Sequence, residues 1–448
     1  MATLEEEVAG LTTATTDLLT AVNVKKATLD DSVAEATAQA ATATTKAGEA
    51  SADALTATTE AAEAVAARAD AVAVVYSGDA SVTPAAGKIP VARADNTLDP
   101  EWLADAGSQR NPIIYDGFGD PNVMVRIPKF NVEDIDASLG TGVHPAFIVN
   151  GVEKDAIYIS KYLASALGSN YVSMPDKDPA TSINFDNALS ACAAKGAGWH
   201  LMTNAEYAAI ALWSWKNGTM PHGNNNYGRD VDNRLETGRL TQAAAILGAS
   251  GTARTATGTG PATWSHDHTT DGIFDLNGNV YEWSGGMRLN DGEIQVLANN
   301  NAADNTKDQS ATSAEWQAIS STDGSLVAPA TVGSLKYDAT GAIGAGAPLV
   351  SDTILSQSDG STYSYTYLES LAAKVGLTVP AILKQLALYP VGTGLGGNRI
   401  YVRNIGERLP VRGGYWYDGS NAGVFMLDVH YGRSLVYSWV GFRAAFVL

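Results

Sequence analysis

The 448-residue sequence contains a single cysteine, Cys192. One thiol cannot form an intrachain disulfide or a cysteine-based metal cluster, so the fold must be stable without either. Positive charge is also scarce, because 29 Lys and Arg stand against 48 Asp and Glu and give a net charge of −19. Nucleic acids and anionic membrane surfaces are bound by clustered Lys and Arg, so neither is expected as a partner.

Long apolar runs are missing as well. The sequence has no stretch of about 18 apolar residues, so no membrane insertion is expected. The N-terminus, Met-Ala-Thr-Leu-Glu-Glu-Glu, is acidic and lacks an apolar core, which is atypical of a secretory signal. A protein displayed on the surface of its own cell would normally carry a signal or an anchor.

Residues 1–71 have a periodicity of their own. One series of positions is spaced in alternating steps of four and three residues and is mostly apolar: Leu4, Val8, Leu11, Thr15, Leu18, Val22 and Leu29. The step between Val22 and Leu29 is interrupted by Lys25, which occupies the intervening position of the series. This heptad pattern predicts an α-helical coiled-coil stalk that forms a homo-oligomer, and we expect a trimer. Residues 34–71 are rich in Ala and Thr, and for them a disordered linker remains an alternative.

Residues 72–110 are interpreted as a connector, or neck. They contain one strand candidate at 72–76, followed by a stretch with Pro84 and Pro90. The stretches 86–93 and 98–102 resemble the neck segments of phage tail fibres.

From residue 111 onward, short segments of alternating polarity predict an α+β fold. Strands are expected at 123–128 and 156–162, and helices at 181–195 and 204–216. The second helix has a capping pattern, with Thr203 or Asn204 as the cap and Glu206 in the first turn. Residues 290–400 are rich in Asn, Ser, Thr and Gly and predict a loop-rich insertion with one helical piece at 367–388.

Three blocks follow one another in a characteristic order. They are 199–207 (WHLMTNAEY), 271–283 (DGIFDLNGNVYEW) and 409–416 (LPVRGGYW), and Gly441-Phe-Arg443 lies close to the end. They resemble the RLPTEAEWE, DxxGNVWEW, RGGSW and GFR blocks of the formylglycine-generating-enzyme branch of the C-type-lectin fold. The resemblance implies a C-type-lectin-like domain over residues 111–448, interrupted by the insertion at 290–400.

The sequence departs from that enzyme branch where its chemistry lies. The enzymes use paired cysteines and a copper ion, whereas Cys192 stands alone in an alanine-rich segment typical of a core position. We therefore expect no enzyme activity and no cofactor. A structural calcium ion near Asp275–Asn279, which the fold family sometimes holds, remains an alternative to Asx-turn hydrogen bonds.

The final segment, 412–448, resembles the variable region of proteins diversified by retroelements, among them phage tropism determinants. In that family, adenine-specific mutagenesis turns AAY codons into NNY codons. The resemblance implies that the ligand is bound by the residues between the fixed blocks: Tyr415, Tyr417, Asp418, Asp428, His430, Tyr431, Leu435, Tyr437, Ser438 and Trp439. NNY codons can encode all of these except Trp439, which we expect to be fixed or reached from another codon.

The alternation of residues 425–430 predicts a half-buried strand. Phe425, Leu427 and Val429 would face the core, and Asp428 and His430 would share the solvent-exposed face. Substitution at exposed positions costs little stability, and tyrosine-rich surfaces offer large contact areas with few rotatable bonds.

These features together predict a receptor-binding tail-fibre protein of a bacterial virus. Its N-terminus would attach to the phage tail or baseplate, and its C-terminal face would bind a protein or glycan receptor on the bacterial surface. The protein would be made in the host cytoplasm and located in the virion. The alternatives are a cellular diversified ligand-binding display protein, a formylglycine-generating-enzyme-like oxidase and a polysaccharide-degrading enzyme.

Overall fold

The computed structural model describes residues 6, 9–35, 37–39, 41, 80–81, 89–90 and 111–448. The chain divides into two units, Met1–Ala92 and Arg93–Leu448, which are described in turn. None of the helices described combines the length and the apolar character that a membrane crossing requires.

The described part of the first unit is mainly helical. Residues 9–35 form helix α1, and residues 37–39 and 41 are also helical. Leu11 and Leu18 of the predicted seam are 71% and 66% exposed in this single chain. The helix prediction is confirmed for this part, whereas Leu4, Val8, the rest of 34–71 and the strand candidate at 72–76 lie outside the described residues. Strands β1 (Ala80–Ser81) and β2 (Ile89–Pro90) pair in parallel.

The second unit mixes helices and strands, which confirms the α+β class. Its helices are α2 (Val132–Ile135), α3 (Phe185–Ala193), α4 (Asn204–Asn217) and α5 (Ala381–Gln385). Its strands up to residue 300 are β3 (Ile113–Tyr115), β4 (Pro121–Pro128), β5 (Ile148–Val149), β6 (Val152–Glu153), β7 (Ala156–Ser160), β8 (Ser165–Leu167), β9 (Asn170–Val172), β10 (Trp199–Leu201), β11 (Tyr281–Trp283), β12 (Met287–Asn290) and β13 (Glu293–Val296). The later strands are β14 (Gln317–Ile319), β15 (Leu326–Val327), β16 (Lys336–Ala339), β17 (Pro348–Ser351), β18 (Ser364–Tyr367), β19 (Ala372–Ala373), β20 (Arg399–Val402), β21 (Glu407–Arg408), β22 (Val411–Gly413), β23 (Gly423–Val429), β24 (Val440–Phe442) and β25 (Ala444–Phe446).

Helix α4 begins where the sequence predicts. The Thr203 hydroxyl accepts a hydrogen bond from the Glu206 backbone N, and the Glu206 carboxylate accepts one from the Thr203 backbone N. This capping box satisfies two N–H groups that the first helical turn leaves free. Helix α3 begins later than expected, at Phe185 with Asn184 as its cap, because Ser182 has a left-handed backbone conformation.

Two sheets bring distant parts of the chain together. The first has the order β10-β25-β7-β4-β3, and it contains both strands expected near 123–128 and 156–162. The second has the order β18-β20-β23-β22-β11-β24. Strands from the final segment are therefore interior members of both sheets, next to strands that come much earlier in the chain.

The insertion is more ordered than its composition predicts. Residues 293–373 contribute most of a third sheet, with the order β15-β14-β13-β16-β17-β19. Tyr337 and Val350 of this sheet are fully buried. The helix expected at 367–388 is wrong except for α5, because Ala372–Ala373 pairs with β17 instead. Short strands of two to four residues carry too little periodicity to be distinguished from loops.

Candidate ligand-binding site

The segment 412–448 combines buried strands with an exposed turn. β23 lies inside the second sheet between β20 and β22, and every residue of the strand is buried. Residues 430–439 then connect β23 to β24 without helix or strand. Of the ten residues predicted to bind ligand, Asp428 lies in β23, six lie in 430–439, and Tyr415, Tyr417 and Asp418 lie in the turn that follows β22.

Asp428 does not face solvent, and the half-buried strand inferred from alternation is wrong. Asp428 is 1% exposed, because Leu427 and Val429 pack into one apolar cluster while Met426 packs into another on the opposite side. Its carboxylate accepts a hydrogen bond from the His430 backbone N at 2.9 Å and pairs with the His430 imidazole. A strand covered on both sides has no solvent face for a ligand to contact.

Five rings meet around Trp439, and we call them the aromatic cluster. The Trp439 ring centroid lies 5.5 Å from that of Tyr281, 5.4 Å from Tyr415 and 5.6 Å from Tyr431. Tyr437 stacks on Trp439 at 4.6 Å with an interplanar angle of 9°. These contacts hold the exposed Tyr437 ring on a partly buried base that includes Trp439.

Exposure separates the predicted site residues into three groups. Tyr417 and Tyr437 are 60% and 50% exposed, and Ser438 is also exposed. The partly buried members are Tyr415, Asp418, His430, Tyr431, Leu435 and Trp439, and Asp428 is buried. The Tyr417 ring lies 5.4 Å from that of Tyr227 and 6.1 Å from that of Tyr415, so it continues the aromatic cluster outward.

Asp418 closes the turn that carries Tyr417. Its carboxylate accepts a hydrogen bond from the Tyr415 backbone N at 3.1 Å and lies against the Tyr281 hydroxyl. Burial, and then the nearby negative charge of Asp428, raise the pKa of Asp418 from 3.8 to about 7. The turn therefore contains a carboxyl group that takes up a proton near neutral pH.

Two glycines allow this turn to form next to β22. Gly413 and Gly414 have φ values of 86° and 85°, a conformation that side chains rarely adopt. A Cβ atom at Gly414 would also lie 2.5 Å from the Cβ of Ala422. The Arg412-Gly-Gly414 block is thus needed for backbone geometry.

Two buried arginines fix the strands beneath the aromatic cluster. Arg443 forms hydrogen bonds of 2.8 and 3.0 Å with the Glu282 carboxylate, and it also donates to the Ser160 and Phe274 carbonyls. Arg412 is equally buried, and its guanidinium donates to Asn204 in α4. Burial lowers the pKa of Arg412 to about 10. The arginines of the RGG and GFR blocks therefore have structural partners.

Sequence reasoning missed a second group of tyrosines beside the site. The Tyr363 ring stacks on His430 at 4.9 Å, and Tyr401 lies 6.2 Å from Tyr363. Tyr363 and Tyr401 come from the end of the insertion and from β20. The repeated Tyr-polar-Tyr pattern of residues 363–367 is a strand signal that could have identified Tyr363 but not Tyr401.

The Asp275–Asn279 block does not fit a calcium ion. The Asp275 carboxylate accepts a hydrogen bond from the Gly258 backbone N, and the Asn279 amide oxygen accepts one from the Thr255 backbone N. Calcium is held by several oxygen ligands, whereas these side-chain oxygens already accept hydrogen bonds within the protein. Among the residues described, no group of three His, Cys, Asp or Glu is placed to hold a metal ion.

A polar cleft of about 170 Å³ lies beside the turn at Ser420. Asn225, Asp230 and Asn277 contribute to its walls. The Asp230 carboxylate already accepts hydrogen bonds from the Gly223 and Asn233 backbone N atoms. The polar groups of the cleft are thus largely occupied within the protein.

The chain was compared with known proteins and solved structures. No model of a protein family and no curated protein matches it. Solved structures with similarity include Treponema denticola variable protein 1, with 13% identity, a TM-score of 0.29, and coverage of 76% of this chain and 100% of that one. A major tropism determinant, the P3c variant, has 12% identity and a TM-score of 0.26, with coverage of 73% of this chain and 63% of that one. PvdO from Pseudomonas aeruginosa has 13% identity and a TM-score of 0.26, with coverage of 76% and 99%. These TM-scores are too low to carry an argument about fold or function.

Proposed function

We propose that the protein is a receptor-binding protein of a bacterial virus, with a diversified C-type-lectin-like face. One observation carries this proposal: Tyr417 and Tyr437 expose half or more of their rings while resting on a packed aromatic base. A rigid exposed tyrosine offers contact area at a low cost in conformational entropy. The receptor is a protein or glycan of the bacterial surface.

Separation of the exposed rings from the buried frame supports diversification. Tyr417 and Ser438 lie in turns, whereas Arg412 and Arg443 anchor the strands from beneath. Exchanging a turn residue therefore leaves the ion pair and the sheet hydrogen bonds intact. The buried Asp428 departs from this pattern, so we assign it to the frame and not to the contact surface.

The single thiol favours binding over oxidase chemistry. Cys192 is fully buried in α3, and burial raises the pKa of its thiol to about 12. A thiol with such a pKa is protonated at neutral pH and is a poor nucleophile. We propose no catalytic step and no cofactor for this protein.

Self-association through α1 completes the proposal. Leu11, Leu18, Val22 and Leu29 are all more than half exposed in the single chain, at heptad spacing around the gap at Lys25. Such a stripe is buried when helices form a coiled coil, and we propose a trimer attached to the phage tail or baseplate in the virion. Linked sites gain about 10²–10⁴ in avidity over single ones. Analytical ultracentrifugation of the chain and of a Leu18→Asp variant tests this step, and a monomeric unmodified chain contradicts it.

The binding step is tested by adsorption to susceptible bacteria. We expect the Tyr417→Ala/Tyr437→Ala double variant to lose at least roughly tenfold in affinity, since tyrosine anchors often contribute more than about 1 kcal/mol each. Tyr115→Ala is the matched control, because Tyr115 is 60% exposed and lies on β3 of the first sheet. Unchanged adsorption by the folded double variant would refute the assignment.

A further inference from the structure

A row of tyrosines lies outside the segment 412–448. Tyr363 precedes β18, and Tyr365 and Tyr367 lie within it at every second position. Alternate residues of a strand face the same side of a sheet. The three side chains are 39%, 48% and 44% exposed, so they form a continuous aromatic edge to the second sheet.

The strand register connects this row to the proposed binding face. Tyr365 pairs with Tyr401 on β20, and Tyr401 pairs in turn with Asp428 on β23. Above Asp428, the His430 ring lies between Tyr363 at 4.9 Å and Tyr431 at 3.6 Å. The exposed aromatic surface thus extends from the variable segment into residues that do not belong to it.

Two arginines lie against these rings. The Arg399 guanidinium carbon lies 4.9 Å from the Tyr365 ring centroid and 5.2 Å from that of Tyr367. Arg403 lies 5.9 Å from the Tyr363 ring. We call Tyr363, Tyr365, Tyr367, Arg399 and Arg403 the tyrosine–arginine surface.

The positive charges of this surface are not held in ion pairs. Within residues 111–448, neither arginine forms an ion pair, and the Nε atom of Arg399 is buried without a partner. Arg403 donates only to the neutral Ser361 and Thr362 carbonyls. The neighbouring Asp359 carboxylate accepts hydrogen bonds from the backbone N atoms of the same turn. In a chain with a net charge of −19, such a pair of guanidinium groups without ion pairs favours an anionic ligand.

The outer edge of β18 disfavours an extended peptide as that ligand. The Tyr365 backbone N already donates to the Gly346 carbonyl at 3.0 Å. A peptide that adds a strand to a sheet gains its affinity from free main-chain groups. The exposed tyrosine ring faces and the guanidinium groups remain available to a ligand. The ring faces can contact C–H groups of the ligand, and the guanidinium groups can bind anions.

We propose that the tyrosine–arginine surface binds an acidic saccharide. The electron-rich tyrosine faces contact the C–H groups of the sugar rings, and Arg399 and Arg403 donate hydrogen bonds to its carboxylate or phosphate oxygens. This proposal rests on the proposed receptor-binding function and gives it a constant subsite. Because the surface lies outside 412–448, it remains unchanged when the variable segment is exchanged.

The test measures binding of the full chain to three soluble probes by titration calorimetry. They are carboxymethyl dextran, unmodified dextran of equal length and polyglutamate. We expect carboxymethyl dextran to bind at least tenfold more tightly than the other two probes and to bind less tightly as salt is added. The Arg399→Gln/Arg403→Gln variant should lose roughly tenfold or more, since hydrogen bonds to charged groups contribute about 1.5–3 kcal/mol each.

Matched variants keep the test decisive. Arg234→Gln removes one positive charge at an exposed position elsewhere, so it is the control for each single arginine variant and should bind like the unmodified chain. Arg399→Lys keeps the charge without the planar fork, so it should recover only part of the lost affinity. Tyr365→Ala measures how much the tyrosine ring contributes to the affinity. If this variant does not fold, Tyr367→Ala is measured in its place.

The outcomes separate this inference from the proposed function. Equal binding of polyglutamate, or unchanged binding by the folded arginine double variant, overturns the acidic saccharide. Loss of cell adsorption by the Tyr417 and Tyr437 variants, with normal adsorption by the arginine double variant, upholds the proposed function and rejects the subsite. If the arginine double variant loses adsorption and the Tyr417 and Tyr437 variants adsorb normally, the subsite is upheld and the assignment of Tyr417 and Tyr437 is rejected.

Discussion

Strand β23 and the turn at 430–439 are adjacent in sequence but differ in how far their side chains are buried. In β23 every side chain is buried between two apolar clusters, whereas in the turn Tyr437 and Ser438 are exposed. A change in β23 disturbs packing on both sides of the sheet, and a change in the turn alters mainly what the surface presents. We therefore expect a residue of 412–448 to tolerate substitution only where it lies in a turn, and not where it lies in a buried strand.

The largest effect is expected at the buried ion pair. Arg443→Met leaves the Glu282 carboxylate buried without its partner, which should lower the free energy of unfolding by about 3–5 kcal/mol. Urea denaturation measures this loss, and Arg234→Met is the exposed control. A loss below about 1 kcal/mol would show that Glu282 finds another partner or takes up a proton, contrary to a fixed frame.

Leucines in the two regions allow a direct comparison. Leu427→Ala in β23 removes a fully buried side chain and should cost about 2–5 kcal/mol. Leu435→Ala in the turn should cost less than half as much, because Leu435 is only partly buried. Thermal and urea unfolding of both variants tests the difference, and equal losses would contradict the division into frame and surface.

Asp428 and Tyr417 sharpen the comparison, because both were predicted as exchangeable positions. Asp428→Ala leaves the partly buried His430 backbone N–H without its acceptor and should cost about 1–3 kcal/mol. Tyr417→Ala should change stability by only about 0.5 kcal/mol, as is typical of exposed positions. Stability and cell binding are measured on the same preparations. If Asp428→Ala does not change the free energy of unfolding, Asp428 belongs with the exposed residues and not with the buried frame.

The last comparison concerns the dependence of stability on pH. The pKa of Asp418 is raised from 3.8 to about 7, so the folded state binds more protons than the unfolded state between these values. The free energy of unfolding should therefore fall as the pH rises from about 4 to about 7. Above that range the carboxyl group is ionised in both states, so the loss stays constant. Asp418→Asn should remove this slope and be relatively more stable at pH 8 than at pH 4. An identical pH dependence of both proteins would contradict the burial of Asp418.

Local signals predicted some elements well. Helix α4 was located because Thr203 and Glu206 form a capping box within four residues, and β4 and β7 because their polarity alternates. The environment of Asp428 was not predictable in the same way. Its burial depends on β20, which follows the insertion, and on clusters assembled from distant segments. Alternation indicates which residues share a face, but not whether both faces are covered.

The contact surface was predicted only in part for the same reason. The family resemblance pointed to Tyr417 and Tyr437, which are exposed, but it could not indicate Tyr363 or Tyr365. Tyr365 is placed beside the site by pairing between β18 and β20. The Tyr-polar-Tyr pattern of residues 363–367 indicates a strand but not the strand it pairs with. A short strand with a weak sequence signal can be recognised only when the strand with which it pairs is known.

The Arg443 guanidinium also donates to the Ser160 carbonyl, which lies 283 residues earlier in the chain. Such a contact can form only after a very long loop has closed, so we expect the second unit to fold slowly. Until β25 enters between β7 and β10, both of those strands present open edges. In an assembly of several copies, a β25 strand from a neighbouring chain could occupy the same place, so exchange of C-terminal strands between subunits is the characteristic misfolding hazard of this architecture.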